Sequence, residues 1–98
     1  MPRRVVLEPW ARADVAEAFV WYEQQRAGLG SEFLAEIARI LTTIEQHPEQ
    51  HAIVRGQTRR ALVRRFPYGV FYIIDRDDIA VTAVMHGRRD PLRWQSRR

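Results

Sequence analysis

The sequence predicts an α+β domain of order β-α-α-β-β-β, an antiparallel sheet packed against an N-terminal α-helical hairpin. Three observations carry this reading. Apolar residues recur at three- and four-residue spacing through the first half of the chain and then change to β-type runs near residue 60. The links between those runs are short enough to force antiparallel neighbours. With 98 residues the chain is long enough for one core and too short for two, so positions 1–98 read as a single domain with a basic tail from about residue 88.

Each element follows in order. "RRVVLEP" is a short strand, Arg3 to Glu8, stopped by Pro9, which also suits the first turn of a helix. From there Ala11, Val15, Ala18, Phe19 and Tyr22 mark the buried face of a helix near Pro9–Ala27. Gly28 and Gly30 should stop it, and Ser31 should cap a second helix reaching His47. The inner stripe of that helix is Phe33, Leu34, Ile37, Ile40, Leu41 and Ile44, and His47-Pro48 ends it. Trp21 and Val20 stand outside the first stripe and are expected to fill the gap between helix and sheet, the alternative being a partner-binding patch.

"EQHAIVRGQTR" reads as a polar loop. "RALVRRF" follows as a partly alternating strand, with Ala61 and Val63 on one face and Leu62 and Phe66 on the other. "YGVFYIID" and "IAVTAVMH" are apolar on both faces and read as well-covered strands joined by an Arg76-Asp77-Asp78 turn. The three-stranded core should run from Arg60 to His86, and the helices should pack on it through Phe19, Ile37, Leu41 and Ile44.

Composition excludes several kinds of chemistry. Without cysteine there is neither a disulfide frame nor a thiolate site, and a reducing cytoplasm is the expected home. No apolar run approaches the roughly 18 residues of a membrane span. His47 and His51 are broken apart by Pro48, so no metal site is expected, and no cofactor motif is present. Ser31 and Ser96 lack a neighbouring base for nucleophilic work.

The arginines are more informative. The sequence contains no lysine, and the basic residues are unevenly placed. Met1 to Val54 holds 5 arginines against 8 acids, a net −3, whereas Arg55 to Arg98 holds 11 against 4, a net +7. Arg60, Arg64 and Arg65 lie on or near the first strand of the β-run, and Arg88, Arg89 and Arg93 follow its last strand. Interleaved with Tyr68, His86 and Trp94, they form a candidate target- or anion-binding surface: guanidinium forks bind carboxylates and phosphates, and rings offer a stacking plane.

"WYEQQRAGLGSEF", "RRFPYGVFYIID" and "AVMHGRRDP" together resemble the RelE/ParE superfamily of bacterial toxins, over about Val5 to Trp94, with "FPYGVFY" and "HGRRDP" the specific parts. The resemblance implies a toxin of a type II toxin-antitoxin system, neutralised by its cognate antitoxin, and touching DNA only indirectly through that antitoxin. It implies a ParE-like inhibitor of DNA gyrase ahead of a RelE-like endoribonuclease that cuts mRNA on the ribosome. A further alternative is an attenuated toxin acting mainly in a repressor complex. The arginine that RelE-type members carry on a middle strand falls at Gly69, and their lysines have no counterpart here. Arg89, beside Arg88, matches the arginine after the last strand. A nuclease built on this chain would have to rely on His86, Arg89 and Arg65, because arginine, with a pKa above about 12, is no general base.

Overall fold

A computed structural model describes residues 3–87 and 91–97. Its elements are β1 (Arg4–Leu7), α1 (Pro9–Gln25), α2 (Leu29–Gln46), β2 (Ile53–Arg55), β3 (Thr58–Leu62), β4 (Tyr68–Asp75), β5 (Asp78–His86) and a short α3 (Pro91–Gln95). The five strands make one sheet of order β1-β5-β4-β3-β2. The α+β class and the helical hairpin are as the sequence predicts.

Details differ for physical reasons. The segment read as a polar loop contains β2, which pairs with β3 through a tight Gly56-Gln57 turn. β2 is only three residues long, and its apolar Ile53 is exposed beside the half-buried Val54, so residue type gives no alternating signal. β1 pairs with β5 in parallel, from Arg4↔Asp78 to Leu7↔Val81, so the sheet is mixed. Two intervening helices carry the chain to the far side of the sheet, and β1 and β5 therefore run the same way. α2 starts at Leu29, and Gly28 caps it at φ 90°, a left-handed conformation that glycine reaches without strain. Ser31 is an exposed residue inside that helix, not its cap. Gly30 serves the helix crossing instead. A Cβ there would stand 2.7 Å from Phe19, and the Gly30 N–H donates to Glu23 at 2.8 Å.

The main core lies between the hairpin and one face of the sheet. Phe33, Ile37 and Ile44 of α2 meet Val70, Tyr72, Ile79, Val81 and Val84. Tyr22, Phe33, Phe66 and Tyr68 form an aromatic knot in its upper half, with ring centroids 4.9 to 6.0 Å apart. Phe66 was expected opposite Ala61 and Val63, yet it joins their core. Arg65, at φ 71°, reverses the alternation and swings Phe66 inward, leaving Leu62 exposed. A smaller cluster of Phe71, Ala83, Met85 and Trp94 covers the opposite face of the sheet.

Trp21 and Val20 do not fill an interior gap: they are 50% and 52% exposed, because Ala18 and Tyr22 already occupy the inward positions of α1. At the hairpin's far end, Tyr72 donates its hydroxyl to the Pro48 carbonyl at 2.7 Å, and burial raises its phenol to about 12. His51 stands edge-on to that ring, and its buried Nε2 has no hydrogen-bond partner among the described residues. Burial, followed by the Arg59 charge, lowers the His51 pKa from 6.5.

Two outcomes follow. Ile37→Ala removes a buried branched side chain and should cost about 2–5 kcal/mol in a denaturant melt. His51 is favoured neutral in the fold, so its contribution is complete above the ordinary histidine range and is lost as pH falls through the lowered folded value. Replacing His51 by Phe should therefore flatten the stability decline below about pH 6.5, measured by urea melts at stepped pH.

Candidate target-binding site

Of the predicted basic cluster, Arg60, Arg65, Tyr68 and His86 lie at the end of the sheet where β3 turns into β4 and β5 ends. The β3–β4 turn owes its shape to Arg65. Its guanidinium meets Glu32 of α2 at 2.7 Å, stands 4.0 Å from Glu36, and lies over the Phe66 ring. Glu32 also takes a 2.9 Å bond from Arg26. The Arg65 and Arg26 hydrogen bonds lower the Glu32 pKa, and Glu32 in turn raises that of Arg65. Arg65 is thus tied to the helix beside its left-handed backbone, while its side chain stays 54% exposed.

Beside this turn lies a cavity of about 410 Å³ lined by Arg60, Leu62, Phe66, Tyr68, His86 and Gly87. It brings together three of the residues singled out in the sequence. Tyr68 is positioned by its rings against Phe33 and Tyr22, and His86, its cross-strand partner, stands edge-on to it at 6.0 Å. Arg60 sits on β3 opposite Phe71, and its stem lies over Gly69. A Cβ at Gly69 would come within 3.0 Å of Arg60 Cγ, so the missing side chain is what lets Arg60 lie across β4. Among the described residues no carboxylate pairs with Arg60. A half-buried guanidinium of this kind, flanked by apolar side chains, is chemically suited to a carboxylate or a phosphate.

The other candidates sit elsewhere. Arg64 is exposed beside α2, lining a separate hollow with Arg39 and Thr43. Arg93 projects from α3 to within 3.8 Å of Asp14. Trp94 is not a stacking surface for a partner, and that expectation is corrected: its ring is buried, stacked on Phe71 at 4.4 Å and 17°. Arg88 and Arg89 lie outside the described residues; Gly87, at the rim of the cavity, leads directly into them.

The sequence reading missed Asp14 and Arg97. Asp14 is buried on α1, accepts the Val84 N–H at 3.0 Å, and holds Arg97 at 2.6 and 3.2 Å. The signal was present: Ala11, Asp14, Ala18 and Tyr22 follow helical spacing along the inward face, and an acid at such a position needs a partner. Above Asp14, a groove of about 250 Å³ runs between Glu17 and Trp21 of α1 and Val84 to His86 of β5.

Residues 5–91 match the family model of the ParE toxin of type II toxin-antitoxin systems, parDE. Among solved structures, a chain of the chromosomal ParDE system of Pseudomonas aeruginosa superposes with a TM-score of 0.77 at 14% identity, covering 86% of this chain and 95% of that one. A chain of the RelBE2 toxin-antitoxin complex of Mycobacterium tuberculosis does so with 0.64 at 20% identity, covering 88% and 99%. No curated protein sequence matches significantly. At these identities the structures bear on the fold, and the family model carries the assignment.

The packing separates two ways of probing the cavity. Tyr68→Ala should cost about 2 kcal/mol or more in a thermal or denaturant melt, because it opens the aromatic knot. Arg60→Ala should stay within about 1 kcal/mol, since it breaks no ion pair among the described residues. Arg60 is therefore the cleaner handle on binding.

Proposed function

Because the chain belongs to the ParE toxin family of type II toxin-antitoxin systems, we propose that it is a non-catalytic inhibitor of DNA gyrase, held inactive by a cognate antitoxin. The observation that carries this reading is the site's division of labour. Arg65 is anchored to Glu32, and Gly69 leaves the middle strand without a cation of its own. Arg60 reaches over Gly69 from the neighbouring strand and supplies contact, not proton transfer. On this reading Arg60, Tyr68 and His86 form a basic rim that binds a protein target, and Arg88 and Arg89, next in the sequence, add their charge to that binding. The net +7 of the C-terminal half raises the encounter rate with an acidic partner. The antitoxin is the natural occupant of the same rim in the neutralised complex, with an acidic or amphipathic segment laid against it.

One observation favours a second reading. His86 and Arg60 line the same cavity. In a ribosome-dependent endoribonuclease, Arg60 or Arg89 would stabilise the charged phosphorane and His86 would transfer the proton.

Two assays separate the readings: gyrase supercoiling and cleavage, and mRNA cleavage in a translating extract. For the inhibitor, Arg88→Glu with Arg89→Glu should weaken gyrase inhibition by at least about tenfold, and Arg60→Glu should weaken it comparably. His86→Gln should change it by no more than about threefold, since it removes little contact area. Site-specific mRNA cleavage that disappears in His86→Gln, with gyrase untouched, would replace the first reading by the second.

A further inference from the structure

β5 carries an edge that the sheet does not complete. It pairs with β4 along its length, but β1 covers it only from Asp78 to Val81, and the Glu8 N–H makes the last contact with the Val81 carbonyl. From Thr82 to His86 no strand lies on that side among the described residues. The segment Ile79 to Met85, "IAVTAVM", is buried throughout and contains no charge. An uncharged β-forming edge of this sort is a template for pairing with another chain.

The C-terminal tail closes it. After Trp94 stacks on one face of the sheet, the chain passes the β5 edge and places Arg97 on Asp14, which belongs to the helical layer on the other face. The Arg97 guanidinium forks onto both Asp14 oxygens and donates to the Thr82 carbonyl at 3.1 Å. Its far side lies over the Trp10 ring, 5.6 Å from the centroid. Asp14 also accepts the Val84 N–H at 3.0 Å. The Thr82 carbonyl and the Val84 N–H are the groups that a neighbouring strand would bond, and the clasp occupies both. Arg97 is only 13% exposed at its side chain, so this is a seated contact and not a loose surface pair.

We propose that the Asp14–Arg97 clasp is an edge guard: it prevents the chain from pairing with a second copy of itself through the Thr82–His86 half of β5. The occupant it excludes is another β5, because one strand laid antiparallel on its own copy satisfies both edges by a single two-fold contact. The exposed Trp10 and Trp21 flank this stretch, and such a pairing brings them towards the interface. The guard needs a fork, since one cation must hold a carboxylate and a carbonyl together, and lysine cannot reproduce that geometry.

The test is sedimentation velocity of the purified full chain over a concentration series, with hydrogen exchange read at the β5 amides. Arg97→Ala should self-associate at least about tenfold more tightly than the parent, and Arg97→Lys should fall between them. Protection should rise with concentration at Val84 to Gly87 and not elsewhere. Should Arg97→Ala fail to fold, Asp14→Asn combined with Arg97→Met leaves the Val84 N–H an acceptor and no buried charge without a partner. That double variant should associate in the same way. A folded clasp variant whose association matches the parent overturns the proposal, as does association that protects any other surface. Neither result bears on gyrase, because the readout is mass and exchange, not inhibition.

Discussion

Pro9 sets the terms for much of this molecule. It ends β1 after four residues by turning the chain into α1, and β1 therefore covers only the first half of β5. The other half of β5 must find hydrogen-bond partners that are not a strand, since buried backbone groups without partners are costly. Asp14, one turn and a half into α1, supplies an acceptor for Val84, and the returning tail supplies a donor for Thr82. Placing Asp14 inside then requires a counter-charge, and Arg97 provides it. A break in one edge strand thus explains a buried acid, the path of the last residues and the groove beneath Trp21.

The same end of the sheet, on the β3–β4 side, solves a different problem. Between Phe71 and Tyr72 the β4–β5 register shifts, and below Tyr68 the chain must turn while keeping Phe66 in the core. A left-handed arginine makes that turn, and two acids on α2 hold it. Glycine would reach the same backbone with less strain but would lose the tie to the hairpin. The consequence for function is spatial. With Phe66 inward and Arg65 bound to α2, the cavity mouth is left to Arg60, Tyr68 and His86, residues of three adjacent strands whose register fixes their spacing.

Much of the fold was legible because its elements have clean periodicity. α2 has one apolar stripe, and β4 and β5 are apolar on both faces, so most of their burial could be read from residue type; Leu34, expected in the inner stripe, is exposed, and Glu36 is buried instead. β2 was not legible: Ile53 is exposed and only Val54 packs inward, so residue type does not follow burial over its three residues. The parallel pairing of β1 depends on the path of the whole hairpin, which no local pattern records. In the site, Arg60, Tyr68 and His86 could be anticipated because basic and aromatic residues cluster on neighbouring strands; Tyr68 and His86 are cross-strand partners, and Arg60, opposite Phe71, reaches them across Gly69. Trp94 misled for a general reason: an aromatic among arginines looks the same in sequence whether it faces a partner or, as here, packs on Phe71. Trp21 misled in the opposite sense, as its neighbours Ala18 and Tyr22 had already filled the interior.

The arginine bias has two physical sources that the total charge conflates. Several guanidiniums serve the fold by bonding more than one acceptor. Arg97 joins Asp14 to the Thr82 carbonyl, and Arg59 joins the Glu49 and His51 carbonyls. Arg3 and Arg12 bond single carbonyls at either end of β1. A lysine ammonium has no planar fork with which to hold two acceptors in fixed directions, so arginine is the apt cation for these tasks. Long-range attraction depends on the summed charge of the C-terminal half, whatever each arginine is bonded to, and it weakens with salt. On the proposed reading, contact with a target depends on the few cations not already committed to an acid, of which Arg60 is, among the described residues, the one placed in the cavity. On that reading steering and recognition are separable: neutralising a tethered arginine would slow encounter and loosen the fold, whereas neutralising Arg60 would remove a contact and leave most of the field in place.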